Sequence, residues 1–299
     1  MKRSGPIKVL IVDDSPFVRS MLTRVLSEAD DIAVVGGARD PFEARDLIIE
    51  HRPDVIILDI EMPRMNGLTF LKKLMVHYPV PVIMCSGVAP ASSRAALEAI
   101  ESGAVDVVAK PSTGGNQALR KLGEDLIEKV RAAAMSMPTL PRTQFRKPVG
   151  PTSFREAGLD PSRYLVIIGA STGGTEAIRS LLANVPADFP STAIVQHMPE
   201  GFTESFAGRL NNFSKLTVTE AVQGDVLVPG RAFLARGGIQ MMVQGTASQL
   251  RLVYGTSDPV NRHCPSVDVL FDSAVRPIGR QIIGIILTGM GDDGARGLL

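Results

Sequence analysis

The sequence predicts an α/β protein of two doubly wound parallel-sheet domains in series, the second carrying a small antiparallel hairpin region. Three observations carry that prediction. Short uninterrupted apolar runs alternate with amphipathic stretches in both halves of the 299-residue chain, as in buried parallel strands joined by covering helices. A Pro- and Gly-rich stretch without periodicity separates the two series. Acidic and nucleophilic residues follow the apolar runs directly, where an open α/β sheet gathers its ligands.

In the first series, residues 8–12 (KVLIV), 54–58 (DVIIL) and 80–84 (VPVIM) read as strands, with 32–35 and 105–108 as shorter ones. Amphipathic stretches at 18–27, 41–50, 67–77 and 91–102 lie between them, and a helix over 119–135 closes the unit. The expected division is a first domain over 1–134, a linker over 135–160 and a second domain over 161–299. Strands of the second domain are expected at 164–168, 192–196, 216–222, 232–235, 240–243, 250–253 and 281–287. The span 216–254 has little helical periodicity, so the antiparallel region is expected there.

Bulk properties exclude several classes. A formal charge of +1 gives no electrostatic reason to expect a nucleic-acid partner. The basic residues between Arg142 and Arg155 read as solvated linker. Two cysteines, Cys85 and Cys264, cannot build a disulfide framework and lack metal-type spacing. No apolar run approaches the ~20 residues of a membrane span, and the N-terminus lacks the form of a signal peptide. A cytoplasmic protein without membrane insertion is expected, and a monomer.

Asp13 and Asp14 follow the first strand and Asp59 ends the third, so three carboxylates converge on one crevice. They repel one another unless a cation intervenes, and an oxygen-only set suits Mg²⁺. Ser86 and Lys110, at two further strand ends, bring a hydroxyl and an ammonium suited to phosphoryl oxygens. With Met62-Pro63, Gly67 and Lys110-Pro111, this pattern over residues 6–130 resembles the two-component receiver domain. The resemblance implies a flavodoxin-like fold, Asp59 as phosphoacceptor, and Asp13, Asp14 and Asp59 as holders of Mg²⁺. It also implies Ser86 as switch hydroxyl, Lys110 as its lysine, and a histidine kinase as phosphodonor. Two positions depart from the family: Val107 replaces the usual aromatic switch residue, and Pro41 stands where glycine is frequent.

The stretch LVIIGASTGG, residues 165–174, admits a phosphate-binding loop or a raised nucleophile. Gly169-Ala-Ser-Thr-Gly173 fits the nucleophile-elbow pattern, in which a sharp strand-to-helix turn exposes a serine. The phosphate reading lacks the G-x-G-x-x-G spacing, a following Lys-Ser/Thr and an acidic ribose partner. A nucleophile needs a base. Of four histidines, His51 and His77 lie on helix ends of the first domain, whereas His197 follows the strand TAIVQ. His263 has Cys264 beside it, a poor catalytic couple because strand neighbours point to opposite faces. After the last strand, Asp292 or Asp293 can bond the Nδ1–H of His197, and backbone N–H groups around Met290 can bind an oxyanion. The order Ser, His, Asp differs from that of α/β-hydrolases.

IIGASTGG, VQHMP, GDVLVPG, PSVDVLF and ILTGMGDDG, in this order, resemble the chemotaxis protein-glutamate methylesterase family over almost the whole chain. The resemblance implies a Rossmann-like catalytic domain with Ser171 as nucleophile, His197 as base and Asp293 as orienting acid. Thr172 and Met290 then flank the reacting carbonyl, Met290 through a backbone donor, and no cofactor serves this site. The implied substrates are glutamate methyl esters, and some glutamines, of chemoreceptors. From the two-domain layout, the unphosphorylated receiver is expected to cover the serine until Asp59 is phosphorylated. Relatives continue past Gly-Asp-Asp-Gly, so a C-terminally truncated catalytic domain is expected. Arg236-Gly-Gly-Ile-Gln240 replaces a Pro-Gly-Gly and histidine segment, which suggests an altered substrate loop. The alternatives are a receptor-binding regulator without hydrolysis and a DNA-binding regulator; the serine elbow and neutral charge oppose the latter.

Overall fold

The computed structural model describes residues 5–87, 89–110, 116–136, 153–246, 249–275 and 281–299. Pro111 and most of the expected linker lie outside the described residues. The chain divides into two compact units, Met1–Thr143 and Gln144–Leu299.

The first unit alternates β1 (Ile7–Val12), α1 (Pro16–Leu26), β2 (Ile32–Ala38), α2 (Pro41–His51), β3 (Val55–Asp59), α3 (Gly67–His77), β4 (Val82–Ser86), α4 (Pro90–Glu101), β5 (Asp106–Ala109) and α5 (Asn116–Met135). The strands form one parallel sheet in the order β2-β1-β3-β4-β5. The local chemistry explains the boundaries. Ser15, Asp40 and Asn66 cap α1, α2 and α3 through side-chain oxygens, and proline opens α1, α2 and α4. Every residue of β3 and β4 is buried, as continuous apolar runs require. Val9, Ile11, Leu22, Leu26, Ile57, Leu126 and Val130 join one core beneath α1 and α5. Each such side chain contributes about 1.5–3 kcal/mol on burial. Cys85 lies in this core, where burial pushes its thiol up to about 12.

The second unit opens with a 3₁₀ turn at Pro161–Arg163 and continues with β6 (Tyr164–Ala170), α6 (Gly174–Asn184), β7 (Ser191–Gln196), α7 (Thr203–Phe213), β8 (Thr217–Glu220) and β9 (Arg231–Leu234). β10 (Met241–Thr246), β11 (Gln249–Tyr254), α8 (Val267–Val275), β12 (Gln281–Ile286) and α9 (Ala295–Leu298) follow. A five-stranded parallel sheet runs β12-β6-β7-β9-β8. Leu165, Ile167, Val195 and Phe233 of this sheet pack with Leu270 and Phe271 of α8.

The antiparallel hairpin expected within 216–254 is present, and it occupies the second part of that span. β10 and β11 pair antiparallel as a separate two-stranded sheet, whereas β8 and β9 run parallel inside the main sheet. Residues 221–230 carry the chain back to the start of the sheet without a helix. A helical crossover is the usual signature of parallel strands, and its absence removed the signal.

Candidate active site and acidic pocket

Three strand ends build the site of the second unit. Residue 171 leaves β6, 197 leaves β7, and 287–294 leave β12, on either side of β6. Backbone bonds tie the exits together: Ser171 N–H donates to Thr288 O at 3.0 Å, His197 N–H to Ala170 O at 3.0 Å, and Leu287 N–H to Gly169 O at 2.9 Å. The turn after Ser171 closes by Gly174 N–H donating to Ser171 O at 2.8 Å. Gly173, at φ +76°, takes the left-handed conformation this sharp entry into α6 requires. Gly289 passes so near that a Cβ there would lie 2.7 Å from Ser171 Cβ, which brings the loop carrying Met290 against the serine.

His197 is buried, and its Nε2 lies 2.8 Å from Asp293 Oδ2. The ring therefore presents to the acid the nitrogen opposite to the one expected from sequence. Nδ1 is buried without a hydrogen-bond partner among the described residues. With Nε2 as donor to Asp293, Nδ1 is left as the basic nitrogen. Asp292 is exposed, so of the two candidate acids Asp293 is the one that meets the histidine.

Asp293 is the most densely bonded group of the site. Besides His197, its oxygens accept from Ser266 Oγ at 2.7 Å, Val267 N–H at 2.7 Å, Asn261 Nδ2 at 2.9 Å and Asp268 N–H at 3.3 Å. Val267 and Asp268 open α8, so the carboxylate also sits on a helix N-terminus. Burial alone would raise its pKa. The bonds from His197, Ser266, Asn261 and Val267 outweigh burial and hold the carboxyl well below the usual range.

Several of these supports had little sequence signal. Gln196, ending β7, donates through Nε2 to Ser171 O at 2.8 Å and His197 O at 3.2 Å, clamping the two strand exits with one amide. Gln240, the last residue of the segment expected to form an altered substrate loop, is buried. It accepts from Ser266 N–H at 2.7 Å and donates to the carbonyls of Asp258 and His263 at 3.0 and 3.1 Å. Arg236 pairs with Glu200 in solvent at 3.2 Å. Only Ser266 had a readable cue, a serine immediately before a helix. Thr172 is buried, and its carbonyl accepts from Thr288 Oγ1 at 3.2 Å.

In the first unit, Asp13, Asp14 and Asp59 each offer an oxygen within 4.8 Å of the others. Asp13 and Asp59 are buried and Asp14 exposed. Lys110 Nζ lies 2.8 Å from Asp13 Oδ2 and 2.8 Å from Asp59 Oδ2. Burial raises the pKa of Asp59, an effect that Lys110 opposes and Asp13 reinforces. Burial acts to lower Lys110, but its two carboxylate partners more than reverse this and raise it. Three carboxylates against one ammonium leave the pocket negative, and an all-oxygen donor set fits a hard divalent cation. Ser86 stands at the adjacent strand end, and its hydroxyl donates to the carbonyls of Gly87 and Ser92 at 3.3 Å. Val107 is buried, and Lys129 Nζ of α5 donates to its carbonyl at 2.7 Å.

Fold and sites define a class: a receiver-type unit with an acidic pocket, joined to an α/β unit equipped as a serine hydrolase. A family model described as CheB methylesterase matches residues 166–299, and one described as response regulator receiver domain matches residues 9–122. The chain belongs to the protein-glutamate methylesterase/protein-glutamine glutaminase family. Protein-glutamate methylesterase/protein-glutamine glutaminase 5 of Anaeromyxobacter dehalogenans is 47% identical over 301 residues, 98% of this chain and 83% of that protein. The protein of the same name from Chromohalobacter salexigens is 47% identical over 296 residues, 99% of this chain and 83% of that protein. Among solved structures, the Thermotoga maritima CheB methylesterase catalytic domain is 38% identical. The match covers 44% of this chain and 71% of that one, with a TM-score of 0.43.

Proposed function

We propose that the chain is a phosphorylation-regulated protein-glutamate methylesterase that also deamidates glutamines, with chemoreceptors as its substrates. The observation that carries this reading is the buried 2.8 Å pair between His197 Nε2 and Asp293 Oδ2, set beside the serine turn. Ser171 Oγ adds to the ester carbonyl carbon while its proton passes to Nδ1 of His197. The carbonyl π pair moves onto oxygen. The backbone N–H of Met290 stabilises that oxyanion, and Thr172 flanks it. The imidazolium returns its proton to the methoxy oxygen, the C–O bond breaks and methanol leaves an acyl-serine. Water, deprotonated by the same nitrogen, then frees glutamate and Ser171. A glutamine follows the same course with ammonia as leaving group. Asp293 stays ionised throughout, since its donors hold it so.

In the receiver, Asp59 takes a phosphoryl group from a partner histidine kinase, and Lys110, paired to it at 2.8 Å, neutralises added charge. Asp13, Asp14 and Asp59 would hold Mg²⁺, which when bound offsets the negative charge of the acids and of the incoming phosphoryl oxygens. Ser86 lies on the adjacent strand and would turn its hydroxyl from the Gly87 and Ser92 carbonyls toward the phosphoryl group. Incubation with a fluorophosphonate tests the catalytic assignment. One adduct on Ser171 with loss of methanol release is expected; full activity in a chain adducted at Ser171 contradicts it.

A further inference from the structure

We infer that His263 is a positioning residue for His197, and that the turn over residues 260–263 clamps base and acid into one geometry. The inference rests on the esterase reading of the site. His197 has one polar anchor, the Nε2 contact to Asp293 at 2.8 Å, while Nδ1 has no partner among the described residues. A single hydrogen bond fixes where Nε2 sits but leaves the plane of the ring undetermined. The plane must be set by what packs on its faces. There the ring of His263 lies parallel, with centroids 3.6 Å apart and planes inclined by 12°. A face contact that close resists tilting about the Nε2 anchor, and so aims Nδ1.

The turn that presents His263 is itself held. Val260 N–H donates to His263 O at 3.0 Å and His263 N–H to Val260 O at 2.9 Å, closing a two-residue loop. Asn261 and Arg262 have φ +49° and +69°, the mirror-image turn in which asparagine is favoured at the first position. Non-glycine residues keep such conformations only where the surroundings demand them. Gln240 supplies one such demand through the His263 carbonyl at 3.1 Å. Asn261 supplies another by donating to Asp293 at 2.9 Å and Asp268 at 2.8 Å. One short turn thus grips the carboxylate through Asn261 and the imidazole through His263.

The stacked geometry also says how His263 acts. Its nitrogens carry their lone pairs and protons in its own plane, parallel to that of His197, so neither ring can donate to the other. The useful property is a flat face, which phenylalanine shares.

The full chain is assayed for methanol release from methylated receptor membranes. His263→Ala is expected to lower kcat by about tenfold or more, with KM within about threefold, as for a misplaced catalytic group. His263→Phe is expected to recover to within about threefold of the unmodified chain. Equal loss in both variants, or no loss in His263→Ala, overturns the inference. A second test does not depend on activity or on variant folding. With four histidines in the chain, selective labelling resolves each ring by NMR. Cross-relaxation between the rings of His197 and His263 is expected in the unmodified protein, and its absence overturns the stacking. Ser171→Ala runs in parallel: release undiminished in that variant sinks the esterase reading, whereas the ring-to-ring signal reports on positioning regardless.

Discussion

Two crevices in this chain lie past the carboxyl ends of parallel strands, and each buries an aspartate under opposite electrostatics. Asp59 shares its pocket with Asp13 and Asp14 and has Lys110 as its cation, and burial raises its pKa. Asp293 is surrounded by donors from His197, Asn261, Ser266 and the start of α8, and its pKa is depressed. The sheet geometry is common to both; the difference lies in what the loops bring. A carboxylate short of donors is poised to accept a cation and a phosphoryl group. One saturated with donors holds its charge and its place, which is what an orienting acid requires. Under the proposed function, the same strand-end position would serve as a chargeable switch in one unit and as a fixed electrostatic support in the other.

The comparison breaks most visibly if the fixed aspartate is made neutral. Asp293→Asn is expected to lower kcat for methanol release by about 10³–10⁴-fold, since an amide no longer supports the imidazolium. A loss under tenfold means that Asp293 does not orient His197. Replacing Gln196 by leucine is a smaller perturbation of the same unit. It strips the Ser171 and His197 carbonyls of their shared donor, and a fall in kcat of about 10- to 100-fold is expected, with the thermal midpoint measured alongside. An unchanged kcat removes Gln196 from the account.

The smallest effects are the ones that contrast the two aspartates directly, read as thermal midpoints against pH. Asp293 has a lowered folded pKa, so its stabilisation is present above the unfolded value of about 3.9 and lost as pH falls below it. The Asp293→Asn deficit should hold from neutrality to about pH 4 and narrow below. Asp59 has a raised folded pKa, so its stabilisation is present below about 3.9 and lost as pH rises through the folded value. Asp59→Asn should therefore melt higher than the unmodified chain at neutral pH, by a few degrees for each ~1 kcal/mol relieved, and the gain should shrink on acidification. Added Mg²⁺ should stabilise the unmodified chain and much less so the variant. Parallel pH responses in the two variants would contradict the contrast.

Much of this was legible in the sequence, for a physical reason. Parallel strands buried on both faces leave uninterrupted apolar runs, and an open α/β sheet puts chemistry at their ends, so position located Asp13, Asp59, Ser171 and His197 and narrowed the acid to Asp292 or Asp293. Most of the supports were not located this way. Asn261, Gln240 and Gln196 act through contacts between segments distant in sequence, set by register and loop path rather than by local composition. The parallel pairing of β8 with β9 was hidden because residues 221–230 make the return without a helix. Nothing in a sequence tells which nitrogen of His197 will face Asp293. Ser86 was correctly placed at its strand end, but its hydroxyl direction depends on the carbonyls of Gly87 and Ser92 nearby.

The central claim is that the switch pocket governs the serine site within one chain. Its most direct test is methanol release from methylated receptor membranes with and without a small-molecule phosphodonor, for the unmodified chain, Asp59→Asn and Ser171→Ala. The account predicts release that rises with the phosphodonor in the unmodified chain, does not rise in Asp59→Asn, and is essentially lost in Ser171→Ala, by about 10⁶-fold. Release that persists in Ser171→Ala, or an equal rise in Asp59→Asn, would contradict it.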